Sequence, residues 1–125
     1  MLSVLITGSN GYLGQHFVQE LKGVAHLTTL DLNNSDYNVN LSKEQPRFNS
    51  SEKFDIVVHC AGKAHSIPKT EEQSLEFFNV NHLGTVNLCK GLLKSKVLPK
   101  TLVFISSVSV YGIETGSNID ESHPL

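Results

Sequence analysis

Short β-branched apolar runs alternate along the chain with stretches of helical periodicity. Leu2 to Thr7 is an apolar, β-rich run that stops at Gly8. From Gly11 the period changes: Tyr12, Leu13, Phe17, Val18 and Leu21 fall at helical spacing, with Gly23 as the stop. His26 to Leu32 predicts a second strand carrying an acid, Asp31, at its end, and the turn-rich cluster Asn33-Asn34-Ser35-Asp36 follows. Tyr37 to Leu41 predicts a small third strand. Ser42 to Lys53 is polar and broken by Pro46, so it holds a short helix at most. Phe54 to Cys60 is continuously apolar, the pattern of a strand covered on both faces.

A long helical pattern begins in the polar stretch Pro68 to Glu72. Its expected apolar stripe is Leu75, Phe78, Leu83, Val86, Leu88, Leu92 and Leu93, ending before Lys94 and Pro99. Thr101 to Ser106 predicts the last strong strand, and Gly112 to Leu125 reads as loop. There are no internal repeats, low-complexity tracts or linkers. The alternation predicts an α/β fold with a doubly wound parallel sheet, in one domain over residues 1–125.

Composition narrows the function classes. The 125 residues carry 10 Lys and Arg against 12 Asp and Glu, a net charge of −2, which leaves no electrostatic footprint for nucleic acid or an acidic membrane. No apolar run is long enough to span a bilayer. Met1-Leu2-Ser3-Val4-Leu5-Ile6 has no basic residues ahead of the apolar stretch and no small-residue cleavage site, so no signal peptide is expected. Cys60 and Cys89 lack metal-ligand spacing and read as reduced thiols of a cytoplasmic protein. No metal site is expected. His16, His26, His82 and His123 also lack ligand spacing and are expected at the surface.

The chemistry concentrates where the first strand becomes the first helix, at Gly8-Ser9-Asn10-Gly11-Tyr12-Leu13-Gly14. Gly8 permits a tight turn, Gly11 lets backbone approach a pyrophosphate, and Gly14 allows close helix–strand packing. The helix N-terminus then offers unpaired N–H groups to phosphate. The spacing is GxxGxxG rather than the better-known GxGxxG, but its place between strand and helix is that of a Rossmann dinucleotide site. Asp31, seventeen residues beyond Gly14, can accept hydrogen bonds from both ribose hydroxyls and would repel a 2′-phosphate. With no Arg or Lys near it in sequence, NAD is favoured over NADP.

Five stretches in order resemble the extended short-chain dehydrogenase/reductases, in the sugar-nucleotide epimerase/dehydratase branch. They are Val4 to Gly14, Asp31-Leu32, Asp55 to Gly62, Asn81 to Leu88, and Phe104 to Gly112. The resemblance covers the whole chain. It implies that His59-Cys60-Ala61-Gly62 ends the fourth strand beside the cofactor, with Cys60, Ala61 and Gly62 in contact. It places Asn40 and Leu41 at the end of the third strand, where Asn40 can bond adenine and Leu41 cover its face. Asn81, a polar residue inside a helix, needs a partner; in similar proteins the matching Asn holds the active-site main chain. Ser107 matches the hydroxyl residue that bonds the sugar oxygen, whereas Tyr111 fits a structural aromatic rather than the family's base. Val108 and Ser109 stand where dehydratases carry an Asp-Glu pair, which disfavours elimination chemistry. Lys63 and His65 follow the fourth strand near the expected substrate entrance, where they either meet a sugar nucleotide or face solvent.

The family base is a Tyr-x-x-x-Lys pair in which the Lys lowers the phenol pKa. The tyrosines here are Tyr12, Tyr37 and Tyr111, the last Lys is Lys100, and the chain reaches Leu125 without the pair. The expectation is an amino-terminal, NAD-binding portion of a nucleotide-sugar 4-epimerase-like enzyme, its sheet incomplete on the C-terminal side and its substrate domain elsewhere. The parent is expected to be a homodimer acting on a nucleotide sugar, and residues 1–125 alone to be inactive. A nucleotide-sugar 4-reductase and a non-catalytic NAD-binding module are the alternatives.

Overall fold

The computed structural model describes residues 1–125. Five strands form one parallel sheet: β1 (Leu2–Thr7), β2 (Ala25–Asp31), β3 (Tyr37–Asn38), β4 (Ile56–His59) and β5 (Thr101–Phe104). Their spatial order is β3-β2-β1-β4-β5. Helix α1 (Tyr12–Leu21) joins β1 to β2. A continuous helical run precedes β5, made of α2 (Glu71–Phe78), a π-helical turn (Asn79–Leu83) and α3 (Gly84–Lys94). The chain winds outward from β1 in one direction through β2 and β3, then returns to the other side for β4 and β5. This is the doubly wound Rossmann arrangement that the alternation of runs predicts.

Alternation along β1 divides the core. Val4 and Ile6 pack with Val58 and the α1 residues Phe17, Val18 and Leu21 on one face. Leu5 points the other way, packing with Leu30, Val57 and the α3 residues Leu88 and Leu92. Period-two alternation in a strand between two helical layers requires this division. The segment between β3 and β4 has no helix, yet it is not loose: Phe48 and Phe54 meet edge-on in the second cluster. Pro46 lies so close to α3 that a Cβ on Gly91 would stand 2.6 Å from its ring. Asp55 pins the far end of the sheet, accepting from Ser3 N at 2.9 Å and from Lys100 Nζ at 2.8 Å.

Several expected boundaries move. The third strand ends at Asn38, so Asn40 and Leu41 sit in the turn beyond it. Beta-4 ends at His59, and Cys60 is already outside the ladder. The helical pattern is interrupted by the π turn, where Gly84 N donates to Asn79 O across five residues. The expected stripe also fails in α2, which has no buried residue: Leu75 and Phe78 are exposed, and the helix stands on its Thr70 cap rather than on a core. Leu102, Val103 and Phe104 on β5, the edge strand, and Ile105 just beyond it are exposed. No helix is long and apolar enough to cross a membrane.

Candidate functional site

The winding reverses between β1 and β4, whose neighbours lie on opposite sides. In open parallel sheets the crevice beyond the carboxyl ends of such strands receives ligands. A cleft of about 790 Å³ lies there. One wall is the glycine turn, with Gly8, Asn10 and Gly11; a second is the end of β2 and the turn after β3, with Asp31, Leu32, Val39, Asn40, Leu41 and Lys43. Cys60, Ala61 and Gly62 close a third side, and Glu72, Leu75, Glu76, Asn79 and Val80 from the helical run a fourth.

Two of the turn's glycines, Gly8 and Gly14, leave no room for a side chain. Gly8 has φ +66, and a Cβ there would stand 2.6 Å from Ala61 N, so β1 and β4 approach too closely for any side chain. A Cβ on Gly14 would overlap the Gly8 carbonyl oxygen and lie 2.8 Å from Ser9 Cα. The first turn of α1 therefore rests directly on the strand end. Gly11 caps the helix without a side-chain hydrogen bond, and no acid stands in the first turn. The leading N–H groups are left to an outside acceptor, and the dipole favours that acceptor being an anion.

Asp31 is oriented by backbone. Its Oδ2 accepts from Asn10 N at 2.8 Å and its Oδ1 from Leu32 N at 2.7 Å. Each oxygen keeps a further lone pair, so the carboxylate is held in place and can still accept. Asn10 Nδ2 donates to Asn33 O at 2.6 Å, which fastens the glycine turn to the turn after β2. Asn40 Oδ1 accepts from Ser42 N and Ser42 Oγ, leaving its amide donors for the cleft. Lys43 lines the same cleft. The turn after β3 thus brings a lysine, twelve positions downstream of Asp31, into the lining of the same cleft, although no ion pair joins the two.

Other expected residues stand off the cleft wall. Tyr12 is 83% exposed and packs tilted against His16, with 4.5 Å between ring centroids. Leu13 is also exposed on the same turn, and neither side chain lines the cleft. Asn81 lies in the π turn; its Oδ1 accepts from Lys63 N at 2.7 Å and its Nδ2 donates to Lys63 O at 2.9 Å. Its amide is spent on the loop after β4. Lys63 Nζ pairs with Glu76 at 2.6 Å, and His65 is exposed at φ 67. Ser107 is exposed beyond β5, donating to Ser109 Oγ at 3.0 Å and outside the cleft lining. His16, His26 and His82 are exposed as expected; His123 is half-buried against Tyr111.

A buried, hydrogen-bonded imidazole beside the cleft escaped the sequence reading. His59 is 2% exposed, its Nδ1 lies 2.6 Å from Thr7 Oγ1, and its Nε2 lies 2.9 Å from Thr85 Oγ1. Burial pushes its pKa from 6.5 down to about 4, so the ring is neutral at ordinary pH. Burial also raises the neighbouring Cys60 thiol. No cluster of His, Cys, Asp and Glu could hold a metal ion.

The model of the NAD dependent epimerase/dehydratase family matches residues 4–125. The chain is similar to UDP-glucose 4-epimerase of Vibrio cholerae, 35% identical over 124 residues, which covers 88% of this chain and 36% of that protein. It is also similar to UDP-glucose 4-epimerase 2 of Oryza sativa subsp. japonica, 32% identical over 98% of this chain and 35% of the relative. The chain thus spans little more than a third of these relatives' length. Among solved structures, UDP-N-acetylglucosamine 4-epimerase from Bacillus cereus superposes with a TM-score of 0.66 at 27% identity, covering 100% of this chain and 48% of that one. A UDP-glucose 4-epimerase structure gives 0.72 at 23% identity, over 98% of this chain and 40% of that one, and shares the fold.

Proposed function

Because the chain belongs to the NAD dependent epimerase/dehydratase family, we propose that it is the NAD-binding portion of a nucleotide-sugar 4-epimerase-like oxidoreductase. The observation that carries this reading is the glycine turn at the switch point, where Gly8 and Gly14 exclude any Cβ and the head of α1 is left without a cap. Such a cradle accommodates a diphosphate brought against bare backbone. The cleft volume of about 790 Å³ suits a dinucleotide moiety.

The donor set fits NAD part by part. The amides of Tyr12, Leu13 and Gly14 would take the diphosphate, while Gly11, whose own N–H is held by Gly8 O at 3.0 Å, lets the phosphates approach the backbone. Asp31 would accept from the adenosine ribose hydroxyls, and Asn40 with Leu41 would border the adenine. Cys60, Ala61 and Gly62 would border the nicotinamide side, with Asn81 holding their loop. NAD, when bound, supplies the redox chemistry. Ser107 would orient the sugar hydroxyl, and Val108 with Ser109 offer neither acid nor base for eliminating water. The relatives named for UDP-glucose 4-epimerase activity support a nucleotide sugar as substrate of the parent protein. The reading includes a cytoplasmic homodimer; the two free cysteines suit a reducing compartment.

Calorimetric titration of the chain with NAD and with NADP tests the reading. NAD binds more tightly, because Asp31 opposes a 2′-phosphate despite Lys43, and Asp31→Ala weakens NAD by about 1–3 kcal/mol. Tighter NADP binding, or NAD binding that Asp31→Ala leaves untouched, would overturn it.

A further inference from the structure

Hydrogen-bond direction can be followed through the buried imidazole. Asn81 O can only accept, so the Thr85 hydroxyl proton points to it, at 2.8 Å. Thr85 Oγ1 then accepts from His59 Nε2–H at 2.9 Å. On the other side Ala61 N donates to Thr7 Oγ1 at 3.2 Å, and the Thr7 hydroxyl donates to His59 Nδ1 at 2.6 Å. The direction of every link fixes the Nε2–H tautomer. Asn81 returns to the same loop by clamping both backbone groups of Lys63. The circuit therefore runs from Ala61 through Thr7, His59, Thr85 and Asn81 to Lys63, two residues from its start. It joins the ends of β1 and β4 to the π turn and to α3.

We propose that His59 is a positioning residue: its neutral ring fixes the Ala61–Lys63 wall of the cleft by tying that wall through Thr7 and Thr85 to the π turn. This rests on the cofactor reading only in calling the wall a cofactor wall; the circuit stands by itself. Two small hydroxyls and an imidazole span the gap between sheet and helix because an apolar filler would leave Ala61 N and Asn81 O without these partners. The π turn has a function in this scheme. Its wider winding presents Asn81 to the loop while Thr85, four residues on, faces the ring.

The test uses the 125-residue chain with Thr85→Val, a substitution of similar shape outside the cleft lining. Thr85 is three hydrogen-bond links from the Ala61 amide. Hydrogen exchange at Ala61 and Lys63 should accelerate by roughly tenfold or more in Thr85→Val, and Thr85→Ser should restore protection. Nitrogen-15 imidazole spectra should show the Nε2–H tautomer in the wild type and mixed tautomers in Thr85→Val. Both readouts are taken without NAD, so they judge the circuit whether or not NAD binds. Unchanged exchange at Ala61 in a folded Thr85→Val chain would overturn the proposal, as would an Nδ1–H tautomer in the wild type.

Discussion

Thr7 Oγ1 lies 2.6 Å from His59 Nδ1, joining the carboxyl ends of two neighbouring strands across the switch point. The sheet pairs these residues in register, so the contact follows directly from the alignment of β1 with β4. The ring is used up on both edges, and the Phe104 ring lies 5.9 Å away. Its hydrogen-bond partners are uncharged, so none of them would compensate a proton on it.

Stability should therefore fall in mild acid. His59 titrates near 6.5 when unfolded and at about 4 in the fold, so between these values the unfolded chain binds more protons. Its contribution is complete above the unfolded pKa and is lost as pH falls toward the folded one. The loss by about pH 5 is about 2 kcal/mol. Urea unfolding at about pH 7.5 and about pH 5 checks this, with His59→Asn as the reference that cannot titrate. Equal pH dependence in the two proteins would contradict it.

The glycines separate packing from backbone freedom. Gly14→Ala drives a methyl into the Gly8 carbonyl and should cost about 1–3 kcal/mol or more in chemical denaturation, with loss of NAD binding. Gly23 has φ +83 but nothing within 4 Å of its would-be Cβ. Gly23→Ala should cost about 1 kcal/mol through backbone strain alone and leave NAD binding intact. Equal effects on NAD binding would contradict this account of the turn.

Residues 1–125 alone should not interconvert UDP-glucose and UDP-galactose. They contain no Tyr-x-x-x-Lys pair, and Ser107 has only Ser109 beside it as a side-chain partner. A positioned base contributes roughly 10²–10⁴-fold, and an unassisted serine is a poor proton acceptor at neutral pH. Turnover by the chain that disappears in Ser107→Ala would show that it carries its own base.

The sequence made the local parts of this site readable. Gly8, Gly11, Gly14 and Asp31 act through backbone and strand position, which spacing encodes. What it concealed depends on distant partners. His59 sits in an apolar run, and its two hydroxyls come from 52 and 26 positions away. Lys43, Glu72 and Glu76 reach the cleft through a turn and a helix that periodicity places but does not orient. The π turn left no signal, because one widened turn shifts an apolar stripe without breaking it. Alpha-2 misled for a related reason: Leu75 and Phe78 keep helical spacing, although nothing in residues 1–125 buries them.

The most direct test of the cofactor cleft is an amide-resolved NMR titration of the chain with NAD. Saturable shifts should concentrate at Gly8, Gly11, Asp31, Ala61 and Gly62, the residues that meet at the switch point, and vanish in Gly14→Ala. Shifts confined to other surfaces, or none with NAD in large excess, would contradict the assignment of this cleft to the dinucleotide.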